Sequence, residues 1–164
     1  MACTILKYLH SLIISEKTII MVKRFVIYGL TGFCVEVIWT GLFSMFSGDI
    51  KLTGQTYIWM FPIYGLAIFL EPVHNKVRHF PLMIRGGIYT LLIFAAEFVT
   101  GMLLKGILGV CPWDYTSRPL QIYGVITLVY APAWFVAGLL FERLHDTLIM
   151  IQQSLSAQKG LIKP

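Results

Sequence analysis

Phe25-Val-Ile-Tyr-Gly-Leu-Thr-Gly-Phe-Cys-Val-Glu36-Val-Ile-Trp-Thr-Gly-Leu-Phe-Ser-Met-Phe-Ser-Gly48 runs for 24 residues with one charge, Glu36, near its centre. A helix rises about 1.5 Å per residue, so roughly 20 apolar residues cross the hydrocarbon core of a bilayer. A second stretch, residues 86–104, holds 19 residues whose only charge is Glu97. Residues 52–70 and 119–141 carry no charge at all and end on Glu71 and Glu142. A carboxylate at the centre of a span costs about 2.5–3.5 kcal/mol even on the gentler insertion scales. A chain that keeps two of them is expected to use them.

Composition agrees. The chain has 164 residues, 57% of them hydrophobic and only 13% charged. That balance excludes an ordinary soluble domain and defines an integral membrane protein. The net charge of +5 does not point to nucleic acid, because the basic residues flank the apolar stretches. They read as orientation signals in the bilayer.

The expected fold is all-α: an integral membrane four-helix bundle of two tandem transmembrane hairpins, with amphipathic helices at each end. The spans are placed at about 25–46, 56–72, 84–106 and 120–142, inside a transmembrane domain of residues 23–143. Residues 1–22 are broken up by Lys7, His10 and the Glu16-Lys17 pair and lack a small-residue cleavage site. They read as an interfacial segment rather than a signal peptide. Met21-Val22-Lys23-Arg24 also reads as an alternative start. Around residues 144–164, Leu144, Leu148, Ile151 and Leu155 recur at helical spacing, with Arg143, Asp146, Gln152 and Gln153 on other faces. This is an amphipathic cytoplasmic helix followed by a frayed tail over Lys159–Pro164.

The positive-inside rule sets orientation. Lys7, Lys17, Lys23, Arg24, Lys76, Arg78, Arg85, Arg143, Lys159 and Lys163 fall on one side; Lys51, Lys105 and Arg118 fall on the other. Both termini are therefore expected in the cytoplasm of a multi-pass protein of the cell membrane.

An internal repeat accompanies this topology. Tyr28 precedes Glu36 by eight residues, and Tyr89 precedes Glu97 by eight; His74 follows Glu71 by three, and His145 follows Glu142 by three. Pro62 precedes Glu71 by nine and Pro132 precedes Glu142 by ten. The halves read as parallel repeats about an axis along the membrane normal. They would bring Glu36 and Glu97 to equivalent depths, where one of two facing carboxyls keeps its proton. Such a pair binds a proton, a cation or a polar substrate. In the alternative reading, each glutamate bonds a neighbouring tyrosine or threonine and fixes packing.

Gly29, Gly32, Glu36 and Thr40 share one helical face, as do Gly86, Thr90, Glu97 and Gly101. Small residues there allow close helix approach in lipid. Pro62 and Pro132 are expected to kink their spans and open room in the core. A rim cluster of Glu71, His74, Arg78, Arg85, Glu142 and Arg143 is expected to form ion pairs between span ends or to bind a lipid phosphate. The outer loop Cys111-Pro112-Trp113-Asp114-Tyr115 supplies a headgroup anchor or a lid, with Asp114 capping a turn. Cys34 reads as a small buried side chain, and Cys111 as the cysteine able to pair between chains.

No phosphate-cradling glycine loop, zinc motif or nucleophile elbow occurs, so no metal, cofactor or catalytic residue is assigned. Gly32-Phe33-Cys34-Val35-Glu36 with Trp39, Trp59-Met60-Phe61-Pro62-Ile63-Tyr64-Gly65, Glu97 with Gly101, and Cys111-Pro112-Trp113-Asp114-Tyr115 together resemble the Putative ABC-transporter type IV family. These are small four-span bacterial membrane proteins with animal transmembrane-protein relatives. The resemblance covers roughly residues 25–143, and the Cys-Pro-Trp-Asp-Tyr segment is its most specific element. Trp39 and Tyr64 join Glu36 and Glu97 as candidate proton- or substrate-binding residues.

The family's name points to a transport-related, permease-like or accessory role. With no Walker motif in the chain, an ABC permease would need a separate ATPase. Four spans are few for a pathway, so a homo-oligomer or other membrane subunits are the expected partners. The competing reading is an intramembrane enzyme acting on a lipid, with Glu36 or Glu97 as general base and the rim arginines holding a phosphate.

Overall fold

The structure is a computed structural model that describes residues 2–161. Helix α1 spans Ala2–Phe46, α2 Met60–Gly65, α3 Glu71–Val77, α4 Leu82–Leu108 and α5 Ala131–Leu161. A 3-10 stretch, Leu66–Leu70, joins α2 to α3; a two-stranded hairpin, β1 (Gln121–Ile122) and β2 (Ile126–Thr127), precedes a 3-10 turn at Leu128–Tyr130. The chain is all-α apart from that hairpin. By length and composition, two helices could cross a membrane, Glu16–Phe46 within α1 and Leu82–Leu108.

The fold divides into two compact units, Met1–Phe69 and Leu70–Pro164. In the first, α2 packs on α1. Glycines set the closeness of that contact. A Cβ at Gly32 would fall inside the Tyr64 ring, one at Gly29 on Phe61, and one at Gly65 on Phe25. The loop is tied back where the Gln55 amide donates to Thr40 Oγ1 at 2.8 Å.

In the second unit, α4 packs on α5. Here a Cβ at Gly86 would meet the Phe135 ring, and one at Gly138 would meet Tyr89. The first unit sets Phe25 against Gly65, and the second sets Gly86 against Phe135. Phe25 and Gly86 each lie three residues before the tyrosine of their half; Gly65 and Phe135 each lie three after its proline. The aromatic-on-glycine contact is thus kept with its partners exchanged. The 3-10 stretch also accounts for the unequal Pro-to-Glu spacing. Five 3-10 residues turn through about 600° and rise about 10 Å, and six α-helical residues turn through about 600° and rise about 9 Å.

The interior mixes apolar residues such as Tyr28, Met60 and Phe94 with polar ones, and large hydrophobics lie on the surface. Arg24, His74, Thr90, Glu97, Glu142 and His145 are buried, while Ile38, Phe46, Ile58, Leu91 and Ile107 are exposed. A smaller apolar core joins Phe94, Val125 and Ile126, with Cys111 packed against it.

Several helix boundaries differ from expectation. Helix α4 extends the expected 84–106 by two residues at each end and stops at Gly109, whose φ of 77° is the left-handed cap that favours glycine. No break separates an interfacial segment from the first span, because α1 is continuous from Ala2. The expected helix over 56–72 is divided into α2, the 3-10 stretch and α3.

The expected helix start at 120 is also corrected. Residues 121–127 form the hairpin, turning through left-handed Tyr123 and Gly124, and α5 begins only at Ala131. Val125, Ile126 and Thr127 are β-branched or strand-favouring, which an uncharged run does not reveal. Pro62 and Pro132 stand in the first turns of α2 and α5 rather than mid-helix. There the missing amide removes no helical hydrogen bond. Cys34 is exposed rather than buried. Of the frayed tail expected over Lys159–Pro164, the last three residues lie outside the described chain, and α5 runs to Leu161.

Candidate functional site

Glu36 lies on α1, one helical turn from Gly32, and that glycine leaves room for the Tyr64 ring. The Tyr64 hydroxyl donates to Glu36 Oε2 at 2.6 Å. Trp39 does not join this pair: it is 43% exposed and its ring lies tilted against Phe43, 4.7 Å between centroids. Successive residues of a helix point about 100° apart, so three positions on from Glu36 a side chain need not share its partner on α2.

Glu97 is buried on α4. It receives the Tyr115 hydroxyl from the outer loop, 3.1 Å from Oε1. The loop is held from both sides. Trp113 is buried and its indole donates to the Val125 carbonyl at 2.8 Å, while the Tyr115 amide donates to the Gly124 carbonyl at 2.8 Å. Asp114 accepts from the Thr116 amide and hydroxyl, each at 2.9 Å. Those two bonds hold its carboxyl below the usual carboxylate range. Cys111 is half-buried, and burial pushes its thiol up despite the Trp113 amide beside it. Each mid-helix glutamate therefore meets a tyrosine hydroxyl from another part of its own unit.

The rim residues assemble into one polar cluster in the second unit. Tyr89, fully buried on α4, donates to Glu142 Oε1 at 2.9 Å. Arg85 Nε stands 3.1 Å from the same oxygen, as an ion pair rather than an aligned hydrogen bond. His74 places Nδ1 3.1 Å from the Tyr89 hydroxyl and Nε2 3.2 Å from Asp146 Oδ1. Arg78 reaches Asp146 at 3.7 Å, and Arg85 also donates to the Arg78 carbonyl at 3.0 Å. His145 Nδ1 lies 3.4 Å from Glu71 Oε1.

Glu71, His74, Arg78, Arg85 and Glu142 are thus brought together, with Arg85 paired to Glu142, Arg78 to Asp146, and the imidazoles of His74 and His145 set beside the carboxyls; Arg143 is exposed. Tyr89, His145 and Asp146 belong to the cluster but were absent from the expected site. Asp146 reads locally as part of the polar face of α5. A usable signal existed for Tyr89: Arg24-x-x-Ile27-Tyr28 recurs as Arg85-x-x-Ile88-Tyr89. Among the described residues, no group of three or more His, Cys, Asp or Glu is arranged to hold a metal ion.

Two helices long and apolar enough to cross a membrane, together with exposed hydrophobic side chains, are compatible with a helical membrane protein. Residues 23–161 match the Putative ABC-transporter type IV family, and the chain belongs to it. No solved structure matches the chain.

Proposed function

We propose that this chain is a multi-pass membrane protein of a transport system, in which Glu36 and Glu97 bind protons or a polar solute within the bilayer. Each mid-helix carboxyl meets one tyrosine hydroxyl, Tyr64 for Glu36 and Tyr115 for Glu97. Packing alone would make the same contact, so the reading rests on titration of the carboxyl and not on the bond. A hydroxyl can donate to a carboxylate and accept from a carboxylic acid, so either protonation state keeps its bond. Family membership and the two long apolar helices support residence in a membrane. The distribution of basic residues supports four spans with both termini in the cytoplasm of the plasma membrane. A chain this small works as a homo-oligomer or with other membrane subunits, and any ATP hydrolysis belongs to a separate ATPase.

Glutamine is the informative substitution. Its Oε1 still accepts from tyrosine, so Glu36→Gln and Glu97→Gln keep the packing bond and remove only titration. In reconstituted vesicles carrying a pH-sensitive dye, each variant should lower proton flux about tenfold, equivalent to about 1.4 kcal/mol. Flux and pH dependence equal to the parent chain's would assign the glutamates to packing.

A further inference from the structure

The rim cluster contains a hydrogen-bonded chain whose protons can be counted. Asp146 Oδ1 lies 3.2 Å from His74 Nε2, His74 Nδ1 lies 3.1 Å from the Tyr89 hydroxyl, and that hydroxyl lies 2.9 Å from Glu142 Oε1. Three contacts between donor-acceptor pairs need three hydrogens. A neutral imidazole and a phenol supply two. With both carboxyls ionised and His74 neutral, one contact must set two acceptors against each other.

A single additional proton satisfies all three contacts, and it can do so from three positions. On the imidazole, His74 donates to both Asp146 and Tyr89, and Tyr89 donates to Glu142. On Asp146, the carboxylic acid donates to Nε2 and the rest of the chain is unchanged. On Glu142, the acid donates to the Tyr89 oxygen, Tyr89 donates to Nδ1, and Nε2–H donates to Asp146. Moving between these positions breaks one O–H or N–H bond for each one formed and leaves every heavy atom in place.

We propose that Asp146, His74, Tyr89 and Glu142 form a proton relay connecting the surface to a buried carboxyl. The two ends differ as a relay requires, since the Asp146 side chain is 43% exposed and that of Glu142 only 8%. A proton taken up at Asp146 Oδ1 passes to His74 Nε2. The Nδ1 proton then moves to the Tyr89 oxygen as the tyrosine's own proton moves to Glu142 Oε1. Release runs the same steps backwards, so no co-reactant is needed.

The groups facing His74 from each packed element fit this role. Tyr89 lies on α4, with Arg85 of α4 against Glu142; Glu142, His145 and Asp146 lie on α5. On its own segment, Arg78 pairs with Asp146, and Glu71 pairs with His145. The two arginines flank the carboxyl ends, where a proton is taken up or left. This relay uses neither Glu36 nor Glu97 and stands without the transport reading.

Nuclear magnetic resonance of the full chain in lipid nanodiscs tests it, following the ring nitrogens of His74 and the carboxyl carbons of Asp146 and Glu142 against pH. The parent chain should show His74 and Glu142 titrating as one coupled system, with shared steps in both signals. Tyr89→Phe keeps the ring and removes the shuttling oxygen; it should separate the two midpoints by about one pH unit or more. Asp146→Asn, at the exposed end, should move the His74 and Glu142 steps together in the parent chain and only the His74 step in Tyr89→Phe, while exposed His79 stays unchanged. Separate His74 and Glu142 midpoints in the parent chain, unaltered by either variant, would overturn the relay.

Discussion

His74 and His145 meet edge to face, with ring centroids 5.3 Å apart at 81°, and each reaches the glutamate that opens the other's segment. His74 Nδ1 lies 3.5 Å from Glu142 Oε1, and His145 Nδ1 lies 3.4 Å from Glu71 Oε1. Residue i of one segment meets residue j of the other, and j meets i, which is the signature of a local two-fold relation. The repeated Glu-x-x-His spacing is therefore expressed as contact across an axis between the two imidazoles. This reciprocity lies next to the proposed relay, and it places two more titratable groups beside His74.

Two glycines should respond to alanine in opposite directions. At Gly138 an added Cβ meets the Cβ of Tyr89, an atom close to the backbone of a side chain pinned by His74 and Glu142. Gly138→Ala should cost about 1–3 kcal/mol. At Gly87, also helical, nothing lies within 4 Å of the added atom. Gly87→Ala should stabilise by about 0.5–1 kcal/mol. Thermal unfolding of both variants in the same detergent reads the difference, and equal shifts would refute the close contact.

Trp113→Phe should loosen the outer loop. The change removes the indole donor to the buried Val125 carbonyl, at a cost of about 1–3 kcal/mol. Because Val125 belongs to the apolar core that Cys111 packs against, amide exchange should accelerate at Val125 and Ile126 more than within α4. Uniform acceleration along the chain would contradict this attribution.

The Asp114 turn should weaken in acid. Its carboxyl is held below its ordinary value, first by the Thr116 amide and then by the Thr116 hydroxyl. A depressed folded-state value contributes stability above the unfolded value, near pH 4, and loses it as pH falls through the folded one. The Thr116 amide should be protected from exchange at neutral pH and lose that protection below about pH 4. Asp114→Asn should flatten the dependence; a profile identical to the parent's would assign it to another group.

Much of the molecule can be read locally. The uncharged stretches around Glu36 and Glu97 specify helices, since apolar composition and the absence of breakers act residue by residue. The Cys-Pro-Trp-Asp-Tyr segment and its companions carry the family. The rim charges were legible as a set because they cluster at the ends of apolar runs. The hairpin at 121–127 was not, because the absence of charge does not separate a strand from a helix, and the strand signal lay in the β-branched Ile122, Val125, Ile126 and Thr127 around Gly124. Trp39 shows the same limit, since its helix position says nothing about what covers it.

Helices, apolar faces and two costly mid-helix acids therefore follow from composition and short-range spacing, where each residue acts on its near neighbours. The partners of those acids, and the joining of Asp146 to His74 across 72 residues of chain, follow from packing alone. Helix contact is settled by glycine clearances and aromatic volumes on separate elements, and no local pattern contains the distance between them.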